Sequence, residues 1–167
     1  MKLLHFGPFP NELDGGRIVN EYLWNKYYEL FPLDEQYAVS KNLEELDPSK
    51  MPYINFLNSD KFGITFGPTP YGGTPEPNIE QVSMIASFMH QFNIPLVEAF
   101  HIAENICMHI DTIHDIGGKV ILHQTVHWAN DQVFKCKLLN QLDHVVAPTK
   151  YAKDILCVEG GIAQNNI

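Results

Sequence analysis

The sequence lacks an excess of positive charge, and this absence excludes one large class of function. Its 167 residues carry 11 Lys and Arg against 20 Asp and Glu, which gives a net charge of −9. A domain that binds nucleic acid needs a basic face to meet the phosphates, so nucleic acid is not an expected partner. Acidic charge of this size mainly favours solubility and says little about a substrate.

Cysteine is scarce, and long apolar runs are missing as well. The three cysteines, Cys107, Cys136 and Cys157, are odd in number and widely spaced, which is typical of reduced thiols in a cytoplasmic protein rather than of a disulfide framework. No apolar run approaches the ~18 residues of a membrane-spanning helix, and the first residues lack the apolar core and cleavage site of a signal peptide. We therefore expect a cytoplasmic location, which leaves a peripheral contact with a membrane open.

The familiar phosphate-binding motifs are absent too. Residues 5–24, HFGPFPNELDGGRIVNEYLW, join an apolar run to a Pro-containing loop, the doublet Gly15-Gly16 and a stretch of helical periodicity. Many proteins bind a phosphate with a strand, a glycine loop and a helix in this order, yet neither G-x-G-x-x-G nor the Gly-Lys-Ser/Thr of a P-loop occurs here. The doublet allows oxygen atoms to approach backbone N–H groups. The competing interpretation is a plain strand-to-helix turn capped by Asp14.

Extended and helical segments alternate along the whole chain. This order, without a repeat or a linker, predicts one α/β domain with a parallel, doubly wound, Rossmann-like sheet of at least six strands, with strand 1 central and helices on both faces. The predicted strands are 2–6, 36–40, 53–57, 94–100, 119–123 and 144–147. The predicted helices follow the doublet as far as Phe31-Pro32 and then cover about 79–92, 102–116, 130–141 and 149–158.

Polar residues follow the predicted strands at the point where each strand ends. In a parallel sheet, ligands bind outside the carboxyl ends of the strands, and these ends share one edge. We therefore expect Gly15-Gly16, His101, His123 and Thr149 to line a single groove, although they are far apart in sequence.

Three segments carry a resemblance to a known family. KLLHFGPFP followed by DGG, KVILHQTVH, and DHVVAPTKYAKDIL, in this order, resemble the amino-terminal domain of GT-B glycosyltransferases, and in particular the retaining group-1 family. The resemblance implies that residues 1–167 are the acceptor-side domain of a hexosyltransferase of carbohydrate biosynthesis. The donor-binding carboxyl-terminal domain would be absent from this chain, and the isolated domain would be inactive.

The same resemblance implies a reaction and its partners. The full enzyme would transfer a sugar from a nucleotide-diphosphate donor to a hydroxyl of a carbohydrate or lipid-linked acceptor, with retention. No cofactor is expected beyond this donor substrate. No metal is expected either, because helix dipoles, backbone N–H groups and basic residues of the second domain would stabilise the leaving diphosphate. The eight histidines do not form a zinc motif: the pair His109 and His114, for example, has no accompanying Glu.

The resemblance also implies roles for individual residues near the donor. Gly15 and Gly16 would approach the donor diphosphate, with Arg17 beside them as a positive side chain. His123 would contact the transferred sugar or the acceptor and is the predicted catalytic residue, and His127 is the alternative. A structural role for either histidine is the competing interpretation.

A second group of residues is predicted to bind the acceptor. Glu98 and His101 lie at the end of the fourth strand, where relatives place acceptor-cleft residues, although Glu98 could also be solvated at the sheet edge. Trp128 offers a ring for stacking on a sugar. Thr149 and Lys150 follow the sixth strand, and helix capping is the competing explanation for Thr149.

Two alternatives come from other functional classes. One is a stand-alone module that binds a nucleotide or a sugar without turnover. The other is a different Rossmann-like enzyme, such as a sugar-nucleotide epimerase or a small oxidoreductase. The oxidoreductase is disfavoured because the third glycine and an acidic residue closing the second strand are missing.

Overall fold

The computed structural model describes residues 1–6, 15–40, 51–58, 79–100, 104–123 and 139–167. Within these residues the strands are β1 Lys2–Phe6, β2 Glu35–Ser40, β3 Ile54–Asn58, β4 Leu96–Phe100, β5 Lys119–His123 and β6 His144–Val146. The helices are α1 Gly15–Leu30, α2 Ile79–Phe92, α3 Glu104–Met108, α4 Asp111–His114 and α5 Lys150–Val158, followed by a 3-10 turn, Gln164–Asn166.

The described strands form one parallel sheet in the order β3-β2-β1-β4-β5-β6. Strand β1 lies inside the sheet, between β2 and β4, and the strand order reverses there. The predicted α/β class, the doubly wound Rossmann-like topology and the central position of strand 1 are therefore confirmed. Ligands of such sheets bind at this reversal point, outside the carboxyl ends of the strands.

The two faces of the sheet are covered by different helices. On one face, the largest core cluster contains strand residues such as Leu4, Val97 and Leu122, together with side chains of α2, α3, α4 and α5. On the other face, Trp24 of α1 packs with Ala38 and neighbouring residues in a second cluster. Because parallel sheets are covered on both faces, their strands are buried and largely apolar. Polar residues inside them therefore need partners.

The predicted helix over 102–116 consists of two short helices. Helix α3 ends at Met108 and α4 begins at Asp111. Between them, Thr112 N–H donates to His109 O and Ile113 N–H to Ile110 O, each spanning three residues instead of four. This tighter turn interrupts the α-helical pattern while Ile110 and Ile113 stay buried.

Two glycines, Gly117 and Gly118, end this helical region. Gly117 has a φ of +77°, its N–H donates to His114 O, and the N–H of Gly118 donates to Ile113 O. These two bonds form a Schellman motif, which requires the left-handed conformation that glycine adopts without strain. The chain then enters β5 directly.

Other boundaries differ slightly from the prediction. Strand β4 begins at Leu96 and not at residue 94, because Ile94 N–H donates to Met89 O at the end of α2 and Pro95 has no N–H for a ladder. Most of the predicted helix 130–141 lies outside the described residues. No described helix is long and apolar enough to cross a membrane.

Candidate active site

Three polar side chains form a continuous hydrogen-bonded group across the centre of the sheet: His5, Glu98 and His123. Strand β1 pairs His5 directly with Glu98 of β4, so both side chains leave the same face of the sheet. His123 is the last residue of β5 and lies two residues beyond Ile121, the partner of Glu98. It therefore reaches Glu98 diagonally, along the same face.

Glu98 accepts a hydrogen bond on each carboxylate oxygen. His5 Nδ1–H donates to Oε2 at 2.6 Å, and His123 Nε2–H donates to Oε1. The side chains of Glu98 and His123 are 16% and 14% exposed, whereas His5 is fully buried. The group thus runs from the interior of the sheet toward its partly open carboxyl edge.

The buried end of this group is closed by Gln36 and Trp24. Gln36 Oε1 lies 2.7 Å from His5 Nε2, and both side chains are buried. The Trp24 ring of α1 covers the His5 ring, with 4.4 Å between their centroids. Packing and hydrogen bonds therefore determine both the position and the plane of the His5 ring.

The two histidines determine the charge of Glu98. Burial by itself raises the pKa of a carboxyl group, but hydrogen bonds from His123 and His5, with the charge they carry when protonated, outweigh it. Together they lower the pKa of Glu98 to about 2. Glu98 is therefore a carboxylate at neutral pH, which is the state that accepts two hydrogen bonds.

The predicted donor residues lie at the start of α1. Gly15 and Gly16 are the first two residues of this helix, and Arg17 follows them in its first turn. The helix begins after β1, at the carboxyl edge, so its first backbone N–H groups belong to the edge at which His123 ends β5. The donor role of these three residues stays a prediction.

The predicted acceptor residues are only partly described. Thr149 and Lys150 follow β6 at the carboxyl edge and are exposed. The Thr149 hydroxyl accepts a 3.0 Å hydrogen bond from Ala152 N–H and caps α5. His101, His127 and Trp128 lie outside the described residues, so their predicted roles stay predictions.

Sequence reasoning missed His5 and Gln36. Each is a polar residue in a short strand that also carries apolar side chains, KLLHF and EQYAVS. That is the available signal, because a buried strand position favours apolar side chains. Neither strand sequence contains the register that brings His5 to Glu98 and Gln36 to His5. Among the described residues, no group of three or more His, Cys, Asp or Glu side chains is arranged to hold a metal ion.

Solved structures that share this fold include two glycosyltransferases and one epimerase. The lipopolysaccharide outer core galactosyltransferase WaaB, in its apo form, matches 100% of the chain with a TM-score of 0.61 and 14% sequence identity. A glycosyltransferase from Rickettsia africae ESF-5 matches 99% with a TM-score of 0.58 and 16% identity. The UDP-GlcNAc 2-epimerase from Methanocaldococcus jannaschii matches 100% with a TM-score of 0.59 and 15% identity. The chain shares its fold with the matched part of each of these structures.

The likeness confirms the predicted resemblance to GT-B glycosyltransferases at the level of fold. The chain spans 44%, 41% and 44% of these three structures, which is less than half of each. No model of a known protein family matches the sequence. No curated protein matches it either. A shared fold does not establish a shared reaction, so the reaction has to be argued from the site.

Proposed function

We propose that this chain is the acceptor-side domain of a glycosyltransferase that moves a sugar from a nucleotide-diphosphate donor to an acceptor hydroxyl, with retention. The observation that carries the proposal is the pairing of His123 with Glu98 at the carboxyl end of β5. A histidine with a carboxylate partner, at the edge where this topology binds ligands, is suited to exchange hydrogen bonds with sugar hydroxyls near neutral pH.

The donor diphosphate is assigned to the start of α1. Helix α1 has 16 residues, so its first turn offers several N–H groups that have no partner within the helix, together with the positive end of the helix dipole. Gly15 and Gly16 add no side chain that would keep phosphate oxygens away from these groups. Arg17 supplies a positive charge in the same turn. Most of the remaining donor contacts would belong to a second domain outside this chain.

The acceptor is assigned to the other strand ends of the same edge. In the sequence, His101 comes after β4 and Trp128 after β5, while Thr149 and Lys150 follow β6. Each oxygen of Glu98 keeps a second lone pair, so an acceptor hydroxyl can bind there beside the histidines. A carbohydrate or lipid-linked acceptor fits this set of polar groups and one indole ring. The proposal places no metal and no further cofactor at this edge.

A second candidate is a sugar-nucleotide epimerase. It is favoured by one observation, the likeness to the Methanocaldococcus jannaschii structure over the whole chain. Both candidates use a nucleotide-sugar and differ in product. A transferase releases a nucleoside diphosphate as the acceptor becomes glycosylated, whereas an epimerase converts one nucleotide-sugar into its isomer.

Product analysis separates these candidates. The longest natural polypeptide that contains this chain is incubated with UDP-galactose, UDP-glucose, UDP-N-acetylglucosamine and GDP-mannose, with and without a mixture of oligosaccharide and lipid-linked acceptors. We expect nucleoside diphosphate release that depends on acceptor, and a product with the anomeric configuration of the donor. An inverted linkage would contradict retention, and an isomerised donor without release would favour the epimerase.

A further inference from the structure

Four polar side chains on adjacent strands form one line across a face of the sheet. Gln36 on β2, His5 on β1, Glu98 on β4 and His123 on β5 follow each other in space, and each contacts the next. The register explains the line, because His5 lies opposite Glu98, while Gln36 and His123 are each offset by two residues. Only His123 stands at the last position of its strand.

Burying a line of polar side chains inside a parallel sheet costs free energy. Buried polar groups lose their hydration and have to recover it through hydrogen bonds. On the opposite face, the neighbouring positions Leu4, Val97 and Leu122 are fully buried and apolar, so apolar residues fill the centre of the sheet there. Stability alone therefore does not explain the line.

We infer that Glu98 is a positioning residue that orients His123 and sets its tautomer, and that His5 and Gln36 hold Glu98 in place for this task. The inference rests on the proposed function, because it takes His123 as the group that meets the substrate. It gives the buried His5 and Gln36 a part in the reaction, although neither of them reaches the sheet edge.

The chemistry follows from what a carboxylate can do. An ionised carboxylate only accepts hydrogen bonds, so both histidines must present an N–H to Glu98. His123 uses Nε2 for this bond. In neutral His123 the proton is therefore on Nε2, and Nδ1 is the acceptor nitrogen. A hydrogen bond or a proton from a sugar hydroxyl then goes to Nδ1, and Glu98 stabilises the resulting positive ring.

Gln36 completes the line at its buried end. Its amide carries both an oxygen and an NH2 group, so it can accept from His5 Nε2–H or, after a flip, donate to an unprotonated Nε2. His5 thus keeps two partners in either state, and its Nδ1–H stays directed at Glu98 Oε2. In the described part of the chain, Gln36 Nε2 itself finds no hydrogen-bond partner.

The first test reads the tautomers directly. The 167-residue chain, labelled with 15N, is studied by long-range 1H–15N NMR at about pH 8.5, where an ordinary imidazole is neutral. We expect His123 to carry its proton on Nε2 alone and His5 to carry one on Nδ1. A His5 ring protonated on both nitrogens would also satisfy the inference, because its Nδ1–H still donates to Glu98. His123 protonated on Nδ1 alone would overturn it, because Glu98 would then face a nitrogen without a proton.

The second test replaces Glu98 by Gln. An amide offers one acceptor and one donor, so Glu98→Gln should force at least one of the two histidines into the opposite tautomer. The matched control is Asp143→Asn, which changes the carboxylate 3.0 Å from His114 Nε2 at the amino end of β5 and should leave both tautomers unchanged. Unchanged tautomers in Glu98→Gln would overturn the inference. If this variant fails to fold, the tautomers in the spectrum of the unmodified chain still test the inference.

The third measurement separates this inference from the proposed function. In the active polypeptide, Glu98→Gln should lower kcat by about 10²-fold or more while KM changes little, as expected when a histidine loses the partner that sets its tautomer. An unchanged kcat would overturn the positioning role. If the tautomers are as predicted but no sugar transfer is detected, the proposed function is contradicted, whereas the hydrogen-bonded arrangement is supported.

Discussion

At the residue scale, the ionisation of Glu98 makes part of the folding free energy depend on pH. The pKa of this group is about 2 in the folded chain, whereas an unfolded glutamate titrates near ~4.3. The unfolded chain therefore binds the proton more readily. The stabilising contribution is present in full above about pH 5 and is lost as the pH falls toward the folded value. It amounts to at most about 3 kcal/mol.

We predict that Glu98→Gln removes this acid-sensitive contribution. The free energy of unfolding of both chains is measured by urea titration between about pH 2.5 and pH 6, and the gap between them should narrow toward low pH. The difference is the quantity to compare, because other groups also titrate here. The amino terminus lowers the pKa of Asp34, and a hydrogen bond from Tyr37 lowers that of Glu35. A gap that stays constant over this range would contradict the prediction.

At the element scale, helix α5 depends on Thr149 for its first turn. The Thr149 hydroxyl accepts the 3.0 Å bond from Ala152 N–H, and the residue has the extended backbone of an N-cap. Thr149→Ala should therefore lower the free energy of unfolding by about 1 kcal/mol, and Thr149→Ser should retain most of it. Thermal and urea unfolding of the three chains check this, and equal stability of Ala and Ser variants would refute the capping role.

The elements were predictable from the sequence to different degrees. Helix α2 and strand β5 have the bounds that periodicity predicts, because strong apolar patterns and clear stop signals surround them. The break between α3 and α4 was not predictable. It arises from two backbone hydrogen bonds that each span three residues, and no residue type in this segment indicates them. Ile110 and Ile113 lie at this break, and both side chains stay packed in the core.

The candidate site was predictable only as separate residues. His123 was predicted to end its strand and does so, whereas Glu98 was predicted at the end of the fourth strand and is the middle residue of β4. Their shared hydrogen bond depends on the register between β4 and β5, which a single sequence does not contain. His5 and Gln36 were missed for the same reason. Each joins the site only through a hydrogen bond to a residue on a neighbouring strand.

At the scale of the whole molecule, the chain covers less than half of each solved structure that it matches. If most donor contacts belong to another domain, the isolated chain should bind nucleotide-sugars weakly or not at all. Titration calorimetry with UDP-galactose and UDP-N-acetylglucosamine checks this. A dissociation constant on the order of 1 μM would contradict it, because that affinity requires about 8 kcal/mol from this chain alone.

The proposed function depends most directly on a catalytic role for His123. The decisive measurement is the turnover of the active polypeptide with His123→Ala, compared with His114→Ala. His114 serves as the control because it is also paired with a carboxylate, Asp143, but lies in α4, away from the carboxyl edge.

We expect His123→Ala to lower kcat by about 10²-fold or more, as for the loss of a side chain that exchanges a proton or a hydrogen bond with the reacting groups. The circular dichroism spectrum should stay that of the folded protein, and His114→Ala should keep its turnover. Equal turnover in the two variants, with both folded, would contradict the claim that His123 serves the reaction.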